Sequence, residues 1–321
     1  MESTDPRAVC LGPSAADHRD WGAQRRVLVI ETLTSVIATF ELPGAAVFPE
    51  SIGLDPASGD AYVGSLADGT IYRLGSSGGV DVVSPAGADS RRSVAGVKVD
   101  DAGRLWAAGG YEGTVHVYAL EPWRLLAHHD VGQRPSCVND IAFAPDGAAY
   151  ITDSFIPTLF RSDADAQRLE PFTDLGRHGV PWPDGLNFNG IVLAPDRRSL
   201  VACQTNTGRF WRIALTDGAV DEVVLDGGPL EHCDGLAAAG SDVYVAVNAR
   251  HELAVVALDE NARAGTVRHV IRSESFRFPT ALALQADRLL VVNSQLDRMQ
   301  SGAQLPFTVV AIPRPRSASG G

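Results

Sequence analysis

One lysine, Lys98, stands among the 321 residues; every other basic side chain apart from histidine is arginine. The net charge is −12. With no basic surplus to neutralise phosphate, a nucleic-acid partner or an anionic membrane surface is disfavoured. Cysteine is scarce too. Cys10, Cys137, Cys203 and Cys233 show no CxxC spacing, which argues against a zinc knot or a thioredoxin-type motif. Their expected state is buried thiols in a reducing compartment, ahead of a disulfide. Long apolar runs are missing. Val27 to Phe40 is short and broken by Glu31 and Thr32, so it does not read as a membrane span. Met1 to Arg26 mixes acidic and basic residues and lacks the apolar core of a secretory signal. A cytoplasmic protein is the resulting expectation. No sustained helical period is found. No GxSxG elbow supplies a serine nucleophile.

What the chain does have is one unit used repeatedly. In Cys137 to Ser154, a polar pair (Asn139-Asp140) precedes a short apolar strand, a Pro-Asp-Gly turn and a second strand that ends polar. The same grammar begins at Glu50, Ala95, Asn139, Asn189, Asp234 and Thr280, with successive steps of 45, 44, 50, 45 and 46 residues. Such a period marks a repeat architecture. Several short strands per unit favour four-stranded blades around a channel over a helical solenoid. The expected fold is an all-β, six-bladed β-propeller over residues 27–313. Val36 to Leu42 would pair beside Thr308 to Ile312 to close the ring and hide two edges. Residues 1–26 read as a polar leader or strap, and 314–321 as a flexible tail.

In this connectivity the start of strand one and the end of strand two lie together near the axis, where loop-borne groups can converge. The strand-one starts supply Glu50, Asn139, Asn189 and Asp234, two carboxylates and two amides. A Thr stands in unit six and an Ala in unit two. Asn and Asp at such places often only bond loop backbone. Four at one phase of a repeat suit a cation better. Oxygen donors with room for water fit Ca²⁺ best, with Mg²⁺, Mn²⁺ or Zn²⁺ as alternatives.

The pattern resembles the SMP-30/gluconolactonase/luciferin-regenerating-enzyme family from about Val36 to Ile312. It rests on Glu50, Asn139-Asp140, Asn189-Gly190 and Asp234-Gly235. The extra Asn189 is similar to the lactonase and paraoxonase-like branches. The resemblance implies a six-bladed propeller with one axial divalent cation held by the matching Glu, Asn and Asp residues, with Asp234 as general base. It departs at unit two. Val94-Ala95-Gly96 stands where sugar-lactonase members carry Asn-Asp-Gly, and Arg91-Arg92 lies just upstream. That leaves room for a more apolar substrate.

Around this centre the strand-two ends offer Asp153, Gln204, Asn248 and Asn293 for substrate contact or for bonds between units. His232 could shuttle protons, although a plain loop histidine is the simpler reading. The stretched third interval, with His178 and Trp182, reads as a lid or pocket wall. The expected activity is hydrolysis of a lactone or related ester. The cation would polarise the carbonyl, and Asp234 or a metal-bound hydroxide would deliver the attack. A cyclase, lyase or isomerase on the same scaffold is the second reading, and a binding propeller braced by its cation the third. The expected partner is a small molecule; the oligomeric state is not indicated.

Overall fold

A computed structural model describes residues 28–315. The expected leader, 1–26, and all of the expected tail beyond Pro315 lie outside the described residues.

The chain is all-β, with helix confined among the described residues to short 3-10 turns such as Gly176–His178. It begins with β1 (Val29–Leu33) and β2 (Ala38–Leu42). The first four-stranded unit is β3 (Pro49–Leu54), β4 (Ala61–Ser65), β5 (Ile71–Leu74) and β6 (Val80–Ser84). The second is β7 (Gly96–Val99), β8 (Arg104–Ala108), β9 (Thr114–Ala119) and β10 (Arg124–Asp130). The third is β11 (Val138–Phe143), β12 (Ala149–Asp153), β13 (Thr158–Ser162) and β14 (Leu169–Asp174). Next come β15 (Phe188–Leu193), β16 (Ser199–Gln204), β17 (Arg209–Ala214) and β18 (Val220–Asp226). The fifth unit is β19 (Cys233–Ala239), β20 (Asp242–Val247), β21 (Glu252–Leu258) and β22 (Ala264–Ser273). The last is β23 (Pro279–Leu284), β24 (Arg288–Asn293) and β25 (Phe307–Pro313), completed by β2. β2 runs antiparallel to β25, from Ala38 opposite Ala311 to Leu42 opposite Phe307.

Repeated four-stranded antiparallel units of this kind are consistent with a β-propeller. The first strands of consecutive units touch in the order β3, β7, β11, β15, β19, β23, and β23 touches β3 again. The apolar core is divided into slabs between neighbouring units. One slab joins Val201, Phe210 and Val223 to Val243, Val245 and Val256; another joins Val63 and Tyr72 to Leu290, Phe307 and Val309. Around the axis the first strands line one cavity with apolar side chains such as Ile52, Ile141, Ile191, Leu236 and Leu282 and a second with polar ones.

The pairing of first and second strands is irregular where the chain approaches the axis. Register shifts between Pro49 and Ile52, Val138 and Ile141, Phe188 and Ile191, Cys233 and Leu236, and Pro279 and Leu282. Each shift releases two residues from the ladder, and a bulge of this kind re-aims a side chain. The released pairs contain Glu50, Asn139, Asn189, Asp234 and Thr280. β7 pairs with β8 without a shift, from Gly96 opposite Ala108 to Val99 opposite Leu105.

Glycine allows the close approach between units. A Cβ on Gly190 would sit 2.3 Å from the Asp234 carbonyl oxygen, and one on Gly96 would sit 2.0 Å from that of Asn139. The glycine of one first strand therefore makes room for the backbone of the next unit's polar residue.

Candidate functional site

Glu50, Asn139, Asn189 and Asp234 line one small cavity at the axis, together with Asn248 and Ala95. Its volume is about 30 Å³, enough for a water molecule or a single ion. Leu66, Tyr111, Leu186, Phe278 and Leu296 complete the wall and form an apolar collar over the polar floor. All four predicted ligand residues are buried.

Each is braced by a neighbour. Asn248 Nδ2 donates to Asp234 Oδ2 at 2.7 Å. Asn139 Nδ2 donates to Ser154 Oγ at 3.1 Å. The backbone oxygens of Glu50 and Asn189 accept from Thr280 Oγ1 at 2.6 Å and Thr152 Oγ1 at 2.7 Å. The Cys203 thiol donates to the Asp234 carbonyl at 3.0 Å. Asp234 Oδ1, by contrast, is buried without a hydrogen-bond partner.

Burial raises the Asp234 carboxyl to about 7, with Asp140 adding to the rise and the Asn248 and Asn189 amides opposing it. Burial also pushes Glu50 well up, reinforced by Asp234 and Asp140 and relieved in part by Lys98. Two carboxylates share a buried cavity and neither can ionise cheaply. Asp140 is the third acid of this cluster. Lys98 Nζ lies 3.0 Å from its Oδ1, and the Ile191 N–H donates to its Oδ2 at 3.2 Å. The sole lysine of the chain thus lies inside the ring, on β7.

The other predicted residues are placed differently. His232 is half-buried on the turn before β19, outside the cavity wall, with its pKa lowered chiefly by burial. Asp153 accepts from the backbone N–H groups of Cys137 at 3.0 Å, Phe155 at 2.8 Å and Ile156 at 2.9 Å. Gln204 holds Pro181 O, Asn187 Oδ1 and the Trp211 indole N–H. Asn293 bonds Ser275 O, Thr308 Oγ1 and the Arg277 N–H. Trp182 packs on Phe188 with ring centroids 5.6 Å apart and donates to Phe155 O at 3.0 Å. His178 is exposed on a 3-10 turn. Arg91 is buried and donates to Gly69 O and Ser84 Oγ, each at 2.7 Å, whereas Arg92 is exposed and pairs with Glu112.

Two features were missed from sequence. The Lys98–Asp140 pair had a signal, since the one lysine lies on a first strand. Asp140 directly follows the ligand candidate Asn139. The collar had none, because Leu66, Tyr111, Leu186, Phe278 and Leu296 come from connections outside the repeat's phase.

The donor set contains two carboxylates and amides; among the described residues no group of three or more His, Cys, Asp or Glu side chains could hold a metal. Cys137, Cys203 and Cys233 are buried and in no disulfide. No helix among the described residues is long and apolar enough to cross a membrane.

The sequence matches no family model. It is similar to the adipocyte plasma membrane-associated proteins of Danio rerio (28% identity over 204 residues, 56% of this chain and 48% of that one) and Salmo salar (29% over 145 residues, 40% and 35%). The matched segments thus span half or less of those relatives' length. Similar solved structures include a gluconolactonase from Xanthomonas campestris (TM-score 0.61, 18% identity, 86% of this chain and 89% of that one). A calcium-binding protein, regucalcin, from Agrobacterium tumefaciens aligns at TM-score 0.63 with 16% identity, covering 89% and 96%. Virginiamycin B lyase from Staphylococcus aureus aligns at 0.60 with 14% identity, covering 84% and 82%. At these identities the likeness shows the fold alone.

Proposed function

We propose that this chain is a six-bladed propeller that hydrolyses a lactone or related ester with the help of one axial divalent cation. The observation that carries the proposal is the buried, unpartnered Asp234 Oδ1 in a 30 Å³ cavity shared with Glu50 and two amides. A hard cation would satisfy that oxygen and remove the repulsion between the acids. Glu50, Asn139, Asn189 and Asp234 would hold it. With Nδ2 tied to Ser154, Oδ1 is the atom that Asn139 can offer. Ca²⁺ suits this set best. When bound, such a cation supplies Lewis acidity toward a substrate carbonyl.

The residues of the chain do the rest. Asn248 fixes Asp234 through Oδ2 and leaves Oδ1 for the cation; the raised pKa belongs to the metal-free chain, and in the loaded protein Asp234 would stand as a carboxylate beside the attacking water, placed to take its proton. The apolar collar excludes water from all sides but the substrate's own. The gluconolactonase and regucalcin likenesses suit this reading, while the lyase likeness is a reminder that one scaffold serves several chemistries. Buried thiols fit a reducing compartment such as the cytoplasm.

Metal content by mass spectrometry, on protein purified without chelator, tests the centre. About one calcium per chain is expected, with loss in Asp234→Ala and in Glu50→Ala. Turnover of a lactone in ¹⁸O-water should place one label in the product acid. Unlabelled product, or full activity after chelation, would sink the hydrolase reading.

A further inference from the structure

The collar shares two residues with a larger pocket of about 390 Å³, whose apolar walls are Phe48, Leu66, Ala67, Tyr111 and Met299 and whose lining also carries the polar Asp68, Arg92, Ser93 and Glu112. That volume lies within the range of about 300–1,000 Å³ used for small ligands. Leu66 and Tyr111 belong to both spaces. Gly110 marks the junction. A Cβ built there would meet Ala95 Cβ at 3.4 Å, Ser93 Oγ at 3.5 Å and Leu66 Cδ1 at 3.6 Å. The pocket therefore adjoins the axial cavity beside Ala95, at the one strand-one start where the side chain can neither ligate nor hydrogen-bond.

We infer that this pocket takes the apolar alkyl or aryl body of the substrate while its carbonyl lies over Asp234, and that polyhydroxylated lactones are poor occupants. The inference rests on the carbonyl-hydrolase reading above for the reaction, and on the pocket alone for the shape. Three observations carry it. The walls nearest the axis are aliphatic or aromatic, so a sugar's hydroxyls would lose water there without replacement. Of the charged groups on the lining, Arg92 is matched by Glu112, with Nε donating to Oε2 at 3.0 Å, and the exposed Asp68 accepts the Thr70 N–H, so the only unmatched charge there is negative and would repel an anionic substrate. Finally, Ser93 Oγ is buried, in a residue only 8% exposed, and has no hydrogen-bond partner. A buried orphan hydroxyl beside Leu66 and Gly110 is suited to one polar atom of a ligand, such as the ring oxygen of a lactone. Tyr111 packs against Phe155, with ring centroids 5.6 Å apart.

The test is kcat/KM for γ-decalactone, γ-butyrolactone and glucono-1,5-lactone with the calcium-loaded protein. Burial of each methylene is worth roughly fourfold, so the six-carbon side chain should favour γ-decalactone over γ-butyrolactone by at least about a hundredfold. Gluconolactone should be the poorest of the three. Ala67→Trp and Met299→Trp fill the pocket from two separate loops, and each should lower the decalactone-to-butyrolactone ratio by more than about tenfold. Ser93→Ala should raise KM for γ-decalactone about fivefold. A wild-type ratio near one, or a ratio that neither tryptophan variant changes, overturns the inference. If no lactone is turned over, the hydrolase reading fails by itself, and calorimetry with 2-nonanone, a carbonyl compound that cannot be hydrolysed, decides the pocket. Binding that is lost in Ala67→Trp supports it; no binding to the wild-type protein overturns it.

Discussion

Unit two and unit five contain the same strands in the same order, but they meet the axis differently. β19 leaves its ladder between Cys233 and Leu236, and the residues set free are Asp234 and Gly235. β7 stays in register from Gly96 to Val99 and sets nothing free. Its axial contribution is Lys98, further along the strand, which neutralises Asp140 on the neighbouring β11. Units one, three and four follow unit five, with an oxygen donor at the bulge. The difference teaches how the centre is balanced. Four bulges carry oxygen donors, and the regular strand carries a fixed positive charge beside Asp140. In the proposed reading that charge leaves Glu50 and Asp234 as the pair a divalent cation would match.

The comparison can be broken at its strongest point first. Asp234→Ala removes the bulged carboxylate, and kcat/KM for a lactone should fall by about a hundredfold or more. Lys98→Met removes what the regular strand supplies. Asp140 then stays buried without its cation, and stability should drop by about 2–4 kcal/mol, read as a shift in the urea midpoint. Gly190→Ala leaves every donor in place but forces the bulge away from the next unit. It should cost about 1–3 kcal/mol and weaken calcium binding in titration calorimetry; unchanged affinity would show that the bulge positions nothing. The smallest effect concerns pH. Asp234 in the folded, metal-free chain is raised from 3.8 to about 7, so the folded state holds the extra proton between those values. The stability due to that proton is present in acid and lost as pH rises through about 7. Without metal, Tm should therefore fall by a few degrees between about pH 5 and pH 8, while saturating calcium should abolish the fall. Calcium affinity should rise over the same interval, with release of about one proton.

The phase of the repeat was legible because turns and small apolar strands recur at a fixed step. It brought Glu50, Asn139, Asn189 and Asp234 to one cavity although up to 184 residues separate them (234 − 50). The bulges were not legible, since a register shift depends on what the partner strand does. The strand-two ends illustrate the same limit. Asn248 begins a 3-10 turn that bends it back onto Asp234. Asp153 and Asn293 stand one position earlier in the repeat, opposite Val138 and Pro279 as Val247 stands opposite Cys233, and bond the loops that lead into β11 and β23. The residue in phase with Asn248 in unit three is Ser154, which braces Asn139 as Asn248 braces Asp234, so a shift of one residue at a strand end separates a brace of the site from a brace of a loop. Trp182 reads as a pocket wall from its prolines; its half-buried indole N–H needs an acceptor, which Phe155 O supplies, and Trp182 is not among the residues that line the axial cavity.

β22 is longer than its neighbours, and its outer edge is divided. Val224 to Asp226 of β18 runs beside its first residues, and Val29 to Leu33 of β1 runs beside its last. The chain then passes directly from β1 to β2, the strand that completes the sixth unit. The segment from Val29 to Leu42 thus works as a hasp: one leaf lies outside the fifth unit and the other is built into the sixth, across the seam where β2 pairs with β25. Opening the seam requires both leaves to let go. Amide exchange in β25 should therefore be governed by the slow release of β1 and β2 together, and durability at that seam is a matter of rate as well as of equilibrium.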